Sequence, residues 1–236
     1  MAEKGSVRIT WLGHSTFLTL SVAGKRILID PWVGGNPATP EAMKTLDRLD
    51  AMLITHGHFD HIADAVALAT SLEPVVVCSF ETSVWLESKG VGQVLGMNKG
   101  GTVEVAGVKV TMVHAEHSCG ILDDGKVVYG GEAAGYVMEF ENGYRVYHAG
   151  DTNIFGGMEL IARLYRPDLA MLPIGGHYTM GPREAAMACG LLSVGTVIPM
   201  HYGTFPVLTG TPADLEREAT GLKGLRVVRL KPGESF

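Results

Sequence analysis

Ala51-Met52-Leu53-Ile54-Thr55-His56-Gly57-His58-Phe59-Asp60-His61 places three histidines and an aspartate directly after a brief apolar run. The apolar residues predict a short buried strand. Ile62 to Leu72 carries apolar residues at helical spacing, so the histidines fall on a strand-to-helix loop. His56 and His58 are two apart, and in an extended segment both side chains point the same way. Asp60 and His61 arrive as the chain turns into the helix and can face a second point nearby. Such a group makes a poor core and a costly surface. Metal ligation accounts for it, since imidazole and carboxylate suit Zn, Fe and Mn alike. The competing reading is a solvated polar loop.

The residues around this loop predict an α/β chain. Val7 to Trp11, Thr16 to Val22 and Arg26 to Ile29 read as strands, with Ala23-Gly24-Lys25 as a hairpin turn. Further strands are expected at Val75 to Val77, Thr102 to Ala106, Val108 to His114, Val127 to Tyr129, Tyr136 to Phe140 and Tyr144 to His148, the last pair joined by Asn142-Gly143. Helices are expected at Glu81 to Ser88, Met158 to Tyr165, Pro182 to Leu192 and Pro212 to Thr220, with strands at Leu169 to Leu172 and Thr196 to Ile198. Thr211 caps the last helix and Pro212 occupies its first position. Hairpins first, then mixed strands and helices in two loosely similar halves, imply stacked sheets covered by helices. No linker or repeat interrupts residues 1–236, which read as a single domain.

Composition narrows the function classes. A net charge of −6 with no run of Lys and Arg does not suit a nucleic-acid surface. No stretch approaches the ~20 apolar residues of a membrane span. Met1 to Trp11 carries Glu3, Lys4 and Arg8 without an apolar core, so it does not read as an export signal. Cys78, Cys119 and Cys189 are scattered and form no metal or disulfide pattern, which fits a reducing cytoplasm. All three read as small buried residues.

His-x-His-x-Asp-His after a strand resembles the signature of the metallo-β-lactamase superfamily, and later motifs agree in order. Ala115-Glu116-His117-Ser118 looks like that family's lone third histidine, and Gly150-Asp151-Thr152 like the motif whose aspartate bridges two metals. Pro199-Met200-His201-Tyr202-Gly203-Thr204 resembles its final histidine motif. Gly13-His14-Ser15, Pro173-Ile174-Gly175-Gly176 and Thr179-Met180-Gly181-Pro182 resemble a small branch of metal-dependent hydrolases related to the ascorbate-phosphate lactonases. The resemblance implies a four-layer αββα sandwich with the site at the sheet edges. It implies one metal held by His56, His58 and His117, another by Asp60, His61 and His201, and Asp151 shared between them. Two divalent ions per chain are therefore expected, zinc first, with Mn, Fe or Ni also suited to the donor set.

The same resemblance implies hydrolysis of an ester, lactone or phosphoester of a small molecule. A water acidified between two cations roughly 3.5–4 Å apart is the expected nucleophile, and Asp60 is expected to pass a proton to the leaving group. His177, Tyr178 and Tyr202 are candidates to bind substrate or stabilise the oxyanion. Phosphodiester or amide cleavage competes as a reaction, and a non-catalytic metal- or RNA-binding regulator as a class. All seven ligand positions are filled, which counts against the regulator. A homo-oligomer is compatible with the sequence.

Individual residues retain alternatives. His114 competes with His117, which the family context favours, leaving His114 as a packing residue. Asp30, closing the apolar run Ile27-Leu28-Ile29, resembles an aspartate that accepts a hydrogen bond from a ligand histidine; otherwise it is an exposed turn residue. His14, His148 and His177 divide between orienting a ligand, facing substrate and ordinary structure.

Overall fold

Six strands pair in sequence order at the N-terminal end: β1 (Arg8–Gly13), β2 (Thr16–Leu20), β3 (Arg26–Ile29), β4 (Ala51–Leu53), β5 (Val75–Ser79) and β6 (Val94–Met97). The computed structural model describes residues 6–236; Met1 to Gly5, including Glu3 and Lys4 of the stretch that does not read as an export signal, lie outside them. β1 to β3 form an antiparallel meander, and β3 to β6 run parallel. Between the parallel strands come α1 (Phe59–Ile62), α2 (Ala65–Leu72) and α3 (Phe80–Ser88).

The second sheet begins with the hairpin β7 (Thr102–Val105) and β8 (Val108–His114). A separate hairpin, β9 (Gly120–Asp123) with β10 (Lys126–Tyr129), then stands apart from both sheets. β11 (Ala134–Glu139), β12 (Arg145–His148), β13 (Leu169–Pro173), β14 (Thr196–Met200) and β15 (Arg226–Val227) complete the order β15-β14-β13-β12-β11-β8-β7. β12 to β15 are parallel. Their connections include α4 (Met158–Tyr165), α5 (Pro182–Leu192) and α6 (Pro212–Glu218).

Side-chain alternation builds the layers. Ala51 and Leu53 of β4 join Tyr136 and Met138 of β11, and Met171 and Ile198, in a core shared by the two sheets. Met52 and Ile54 point the other way, onto Ala65 and Ala69 of α2 and Leu86 of α3. On the far side Val137, Tyr147, Ala170, Leu172 and Val197 meet α4, α5 and α6. The result is helix, sheet, sheet, helix. Fully burying each aliphatic side chain contributes roughly 1.5–3 kcal/mol, and both faces of the central parallel strands are covered, as parallel sheets require.

Several elements depart from the sequence expectation. The helix expected over Ile62 to Leu72 starts earlier and is broken between Ile62 and Ala65. Asp64 causes the break: its N–H donates to the Pro31 carbonyl, and its carboxylate accepts from the Val33 N–H at 2.6 Å and the Gly34 N–H at 2.8 Å. β6, β9 and β15 are additional strands. The N-cap of α6 forms as expected, with the Thr211 hydroxyl accepting from the Asp214 N–H at 3.2 Å.

Candidate metal centre

The conspicuous histidines and aspartates meet where strands of both sheets end. Asp30 follows β3, His56 and His58 follow β4, Asp151 follows β12 and His201 follows β14. The C-terminal edge of parallel strands is where loops converge in open α/β sheets. Inter-sheet hydrogen bonds lock the two edges together. The His201 N–H donates to the His14 carbonyl at 3.0 Å, the Ala134 N–H to the Thr55 carbonyl at 3.1 Å, and the buried Tyr136 hydroxyl to the Ile54 carbonyl at 2.8 Å. Gly150 sits at φ +63°, and a Cβ there would lie 2.6 Å from the Ala134 carbonyl oxygen, so only glycine lets the Asp151 turn press this close. His14, Asp30 and His201 are buried at φ of +54°, +51° and +55°, left-handed backbone that a non-glycine residue adopts at a cost of order 1–3 kcal/mol.

The donor atoms converge. His56, His58 and His117 each offer an atom within 4.8 Å of the others, as do His56, His61 and Asp151, and as do His14, Asp60, His61 and His201. Asp151 Oδ2 lies 3.9 Å from His56 Nε2, 3.7 Å from His117 Nε2, 3.3 Å from His61 Nε2 and 2.9 Å from His201 Nε2. One carboxylate oxygen thus stands between the two histidine groups. Asp60 Oδ2 is 3.9 Å from His201 Nε2 and accepts a 2.9 Å hydrogen bond from His14 Nε2.

Hydrogen bonds behind the rings set which nitrogens face inward. Asp30 is fully buried; its Oδ1 accepts from the Thr55 N–H, and its Oδ2 accepts from the Thr55 hydroxyl and from His61 Nδ1, each at 2.8 Å. Because the Thr55 hydroxyl proton goes to Asp30, His56 Nδ1 donates to the Thr55 oxygen across 3.0 Å. Both imidazoles therefore carry their proton on Nδ1 in the neutral form and present the Nε2 lone pair to the centre.

A divalent cation fits this donor set. Of the six buried side-chain polar atoms without a hydrogen-bond partner among the described residues, four belong here: His61 Nε2, Asp151 Oδ1 and both ring nitrogens of His201. Leaving each unsatisfied costs about 1–3 kcal/mol, and a cation bound by oxygen and imidazole donors removes that cost for His61 Nε2, Asp151 Oδ1 and one nitrogen of His201. Burial, reinforced by neighbouring imidazoles, pushes His56, His58 and His117 below the usual histidine range, so they are neutral and ready to ligate near pH 7. Burial also lowers His61, but the Asp151 and Asp30 carboxylates outweigh it and raise that imidazole well above its ordinary value. Burial would raise Asp60, yet the His14 hydrogen bond and the charge of His61 hold it at about 2. Asp151, likewise opposed by burial, is held well below the carboxylate range by His201 and His61.

Residues 25–202 match the family model described as a beta-lactamase superfamily domain. The UPF0173 metal-dependent hydrolase of Koribacter versatilis is 56% identical over 98% of this chain and 97% of the relative. This chain belongs to the metallo-β-lactamase superfamily. Among solved structures, the metallo hydrolase Igni18 of Ignicoccus hospitalis superposes with a TM-score of 0.84 at 35% identity, covering 98% of this chain and 97% of that one. The metallo-beta-lactamase fold protein YhfI of Bacillus subtilis, at 16% identity and a TM-score of 0.71, covers 98% of both chains and shares the fold. The chain is thus a metal-dependent hydrolase of this superfamily, with the four-layer architecture its motifs implied.

Within that frame the other expectations separate. All seven expected ligands come together, and of the readings open for His14 the structure gives the one beside a candidate ligand, Asp60. His14 is fully buried, bonded to Asp60 and through Nδ1 to the Thr204 hydroxyl at 3.1 Å, and its imidazole is pushed down to about 4, chiefly by burial. His114 is exposed beside Lys99 and the Phe155 ring, outside the cluster. His148 accepts from the Gly150 N–H at 3.1 Å and donates to the Ser15 carbonyl at 3.0 Å, bracing the turn that carries Asp151. Cys119 is buried, accepting from the Gly57 N–H and donating to the Gly130 carbonyl, outside the cluster. Two candidate substrate residues need correction. His177 is exposed and absent from the cavity wall above the cluster; its neighbour Tyr178 lines that cavity instead. Tyr202 turns away because His201 is left-handed, and its ring stacks on Trp11 at 5.2 Å. Burial there raises its hydroxyl to about 12.

Proposed function

We propose that the centre takes two divalent cations and hydrolyses an ester, lactone or phosphoester of a small molecule. His56, His58 and His117 would hold one ion, and Asp60, His61 and His201 the other, with Asp151 common to both. The observation that carries this reading is the Asp151 Oδ2 atom within 3.9 Å of imidazole nitrogens from both groups. When bound, such a pair of ions supplies a water acidified towards neutrality and a Lewis acid for the electrophile.

The protein's own residues do the rest. Asp30 and Thr55 hold the His61 and His56 rings in the ligating tautomer. His14 holds the Asp60 carboxylate in one orientation. Held down at about 2, below the usual aspartate value, Asp60 stands as a carboxylate near neutral pH, so a proton reaching it is handed on to the leaving group rather than retained. Zinc suits the His-rich donor set best, with Mn, Fe and Ni as alternatives. No helix among the described residues is long and apolar enough to cross a membrane.

Elemental analysis of protein purified without chelator and then refilled should approach two divalent ions per chain. Ester or phosphoester turnover should vanish on chelation and return with added metal. A plateau at one ion would remove the shared role of Asp151, and turnover surviving complete metal removal would refute the mechanism.

A further inference from the structure

The cavity above the metal centre is walled by apolar side chains from two independent elements. His58, Asp60, His117, Asp151 and His201 line one part of it. On one side stands the β9–β10 hairpin, where Leu122 and Val127 face each other across the strands and line the cavity. Phe205 and Val207, on the loop after His201, also line it, with Phe59 and Tyr178 completing the wall. Leu122 and Val127 are 63% and 77% exposed, and Phe59 is 54% exposed. Large apolar residues left this open around a concave site mark a surface that is covered when occupied. The cavity measures about 850 Å³, within the range of small-molecule sites. Among the described residues no Lys or Arg lines it.

We infer that the substrate is a carboxylic ester or lactone whose chain or ring beyond the scissile bond is apolar and uncharged, not one carrying a phosphate or carboxylate on that tail. This rests on the hydrolytic reading above and narrows it. A phosphate or carboxylate tail would be desolvated against Leu122, Val127 and Phe205 with no side-chain cation to pair it, which is costly. An apolar tail gains by the same burial. In the reaction the acyl carbon takes the oxygen of water and the ester C–O bond breaks. One proton of the water goes to the departing alkoxide, and the other is released from the new acid.

The test uses the full chain refilled with metal. Rates are measured on p-nitrophenyl acetate, butyrate, hexanoate and octanoate, and on p-nitrophenyl phosphate and bis(p-nitrophenyl) phosphate. kcat/KM should rise up to about fourfold per added CH2 from acetate to hexanoate, the equivalent of ~0.8 kcal/mol for each group buried. Both phosphate compounds should be poorer than hexanoate. Leu122→Ser and Val127→Ser, at largely exposed positions, should keep fold and metal content while flattening the chain-length slope to twofold or less per CH2. A flat slope in the unsubstituted protein, or a preference for either phosphate, overturns the substrate class while leaving a chelator-sensitive hydrolase intact. Absence of chelator-sensitive turnover on every compound overturns the hydrolytic reading and this inference with it.

Discussion

Replacing Asp30 by Asn tests the tautomer argument at both halves of the metal centre with one amide. Asp30 accepts three hydrogen bonds, from the Thr55 N–H, the Thr55 hydroxyl and His61 Nδ1. An asparagine has one acceptor oxygen. If that oxygen keeps the Thr55 N–H, the new NH2 group faces the Thr55 hydroxyl and His61 Nδ1, and both bonds reverse polarity. The His61 proton is then driven to Nε2, and the Thr55 hydroxyl turns to donate to His56 Nδ1, which drives the His56 proton to Nε2 as well. Both ligating lone pairs are lost. If the amide flips, a donor opposes the Thr55 N–H in a fully buried site, costing about 1–3 kcal/mol. Backbone strain does not confound the comparison, since asparagine tolerates the left-handed φ of Asp30 about as well as aspartate does.

Losing a hydrogen bond to a charged group costs about 1.5–3 kcal/mol, and each 1.36 kcal/mol is a factor of ten. Asp30→Asn should therefore weaken metal affinity about 10–100-fold, the range expected when the partner behind a ligand is removed. Competition against a chromophoric chelator would resolve the two binding steps, with circular dichroism of the metal-free protein checking the fold. Both steps should weaken, because His61 belongs to one ligand group and His56 to the other. Weakening of a single step would break the link through Thr55. Unchanged affinity for both would refute the role of Asp30.

Other consequences can be checked separately. His117→Ala should lower bound metal by about one ion and cut turnover by at least tenfold, whereas His114→Ala should leave metal content unchanged; the reverse order would contradict the cluster geometry. Asp60→Asn should retain the fold while slowing kcat by ~10²–10⁴-fold, as expected for a positioned proton carrier, and a change of less than tenfold would remove Asp60 from proton transfer. His61 is held protonated without metal because Asp151 and Asp30 outweigh burial, so metal uptake must expel that proton. Affinity should accordingly fall as pH is lowered, and calorimetry in buffers of different ionisation enthalpy should detect proton release. Proton-independent uptake near neutral pH would exclude a charged His61.

The candidate ligands were legible in the sequence for a chemical reason, and the apolar wall beside them was illegible for a geometric one. Few residue types ligate a metal well, so three histidines and an aspartate within residues 56–61 can hardly be ordinary packing, and strand alternation places the loop that carries them. Asp30 was legible too, because a buried aspartate closing an apolar strand needs a partner. The Asp123-Asp124-Gly125 turn of the β9–β10 hairpin also carried a readable signal, Asp-Gly with φ of +47° and +76°, which the strand expectation for Val127 to Tyr129 passed over. His14 offered no local sign of its tie to Asp60, 46 residues away in the chain. The choice between His177 and Tyr178, and the turn of Tyr202 towards Trp11, depend on left-handed backbone at His177 and His201, where one dihedral decides which side chain meets the cavity. Leu122, Val127 and Phe205 could have stood in any core; only the hairpin register and the loop after His201 turn them into a wall. Specificity here resides in where common apolar residues are left uncovered, a property that emerges only once the ligand-bearing loops have brought the two sheets' edges together.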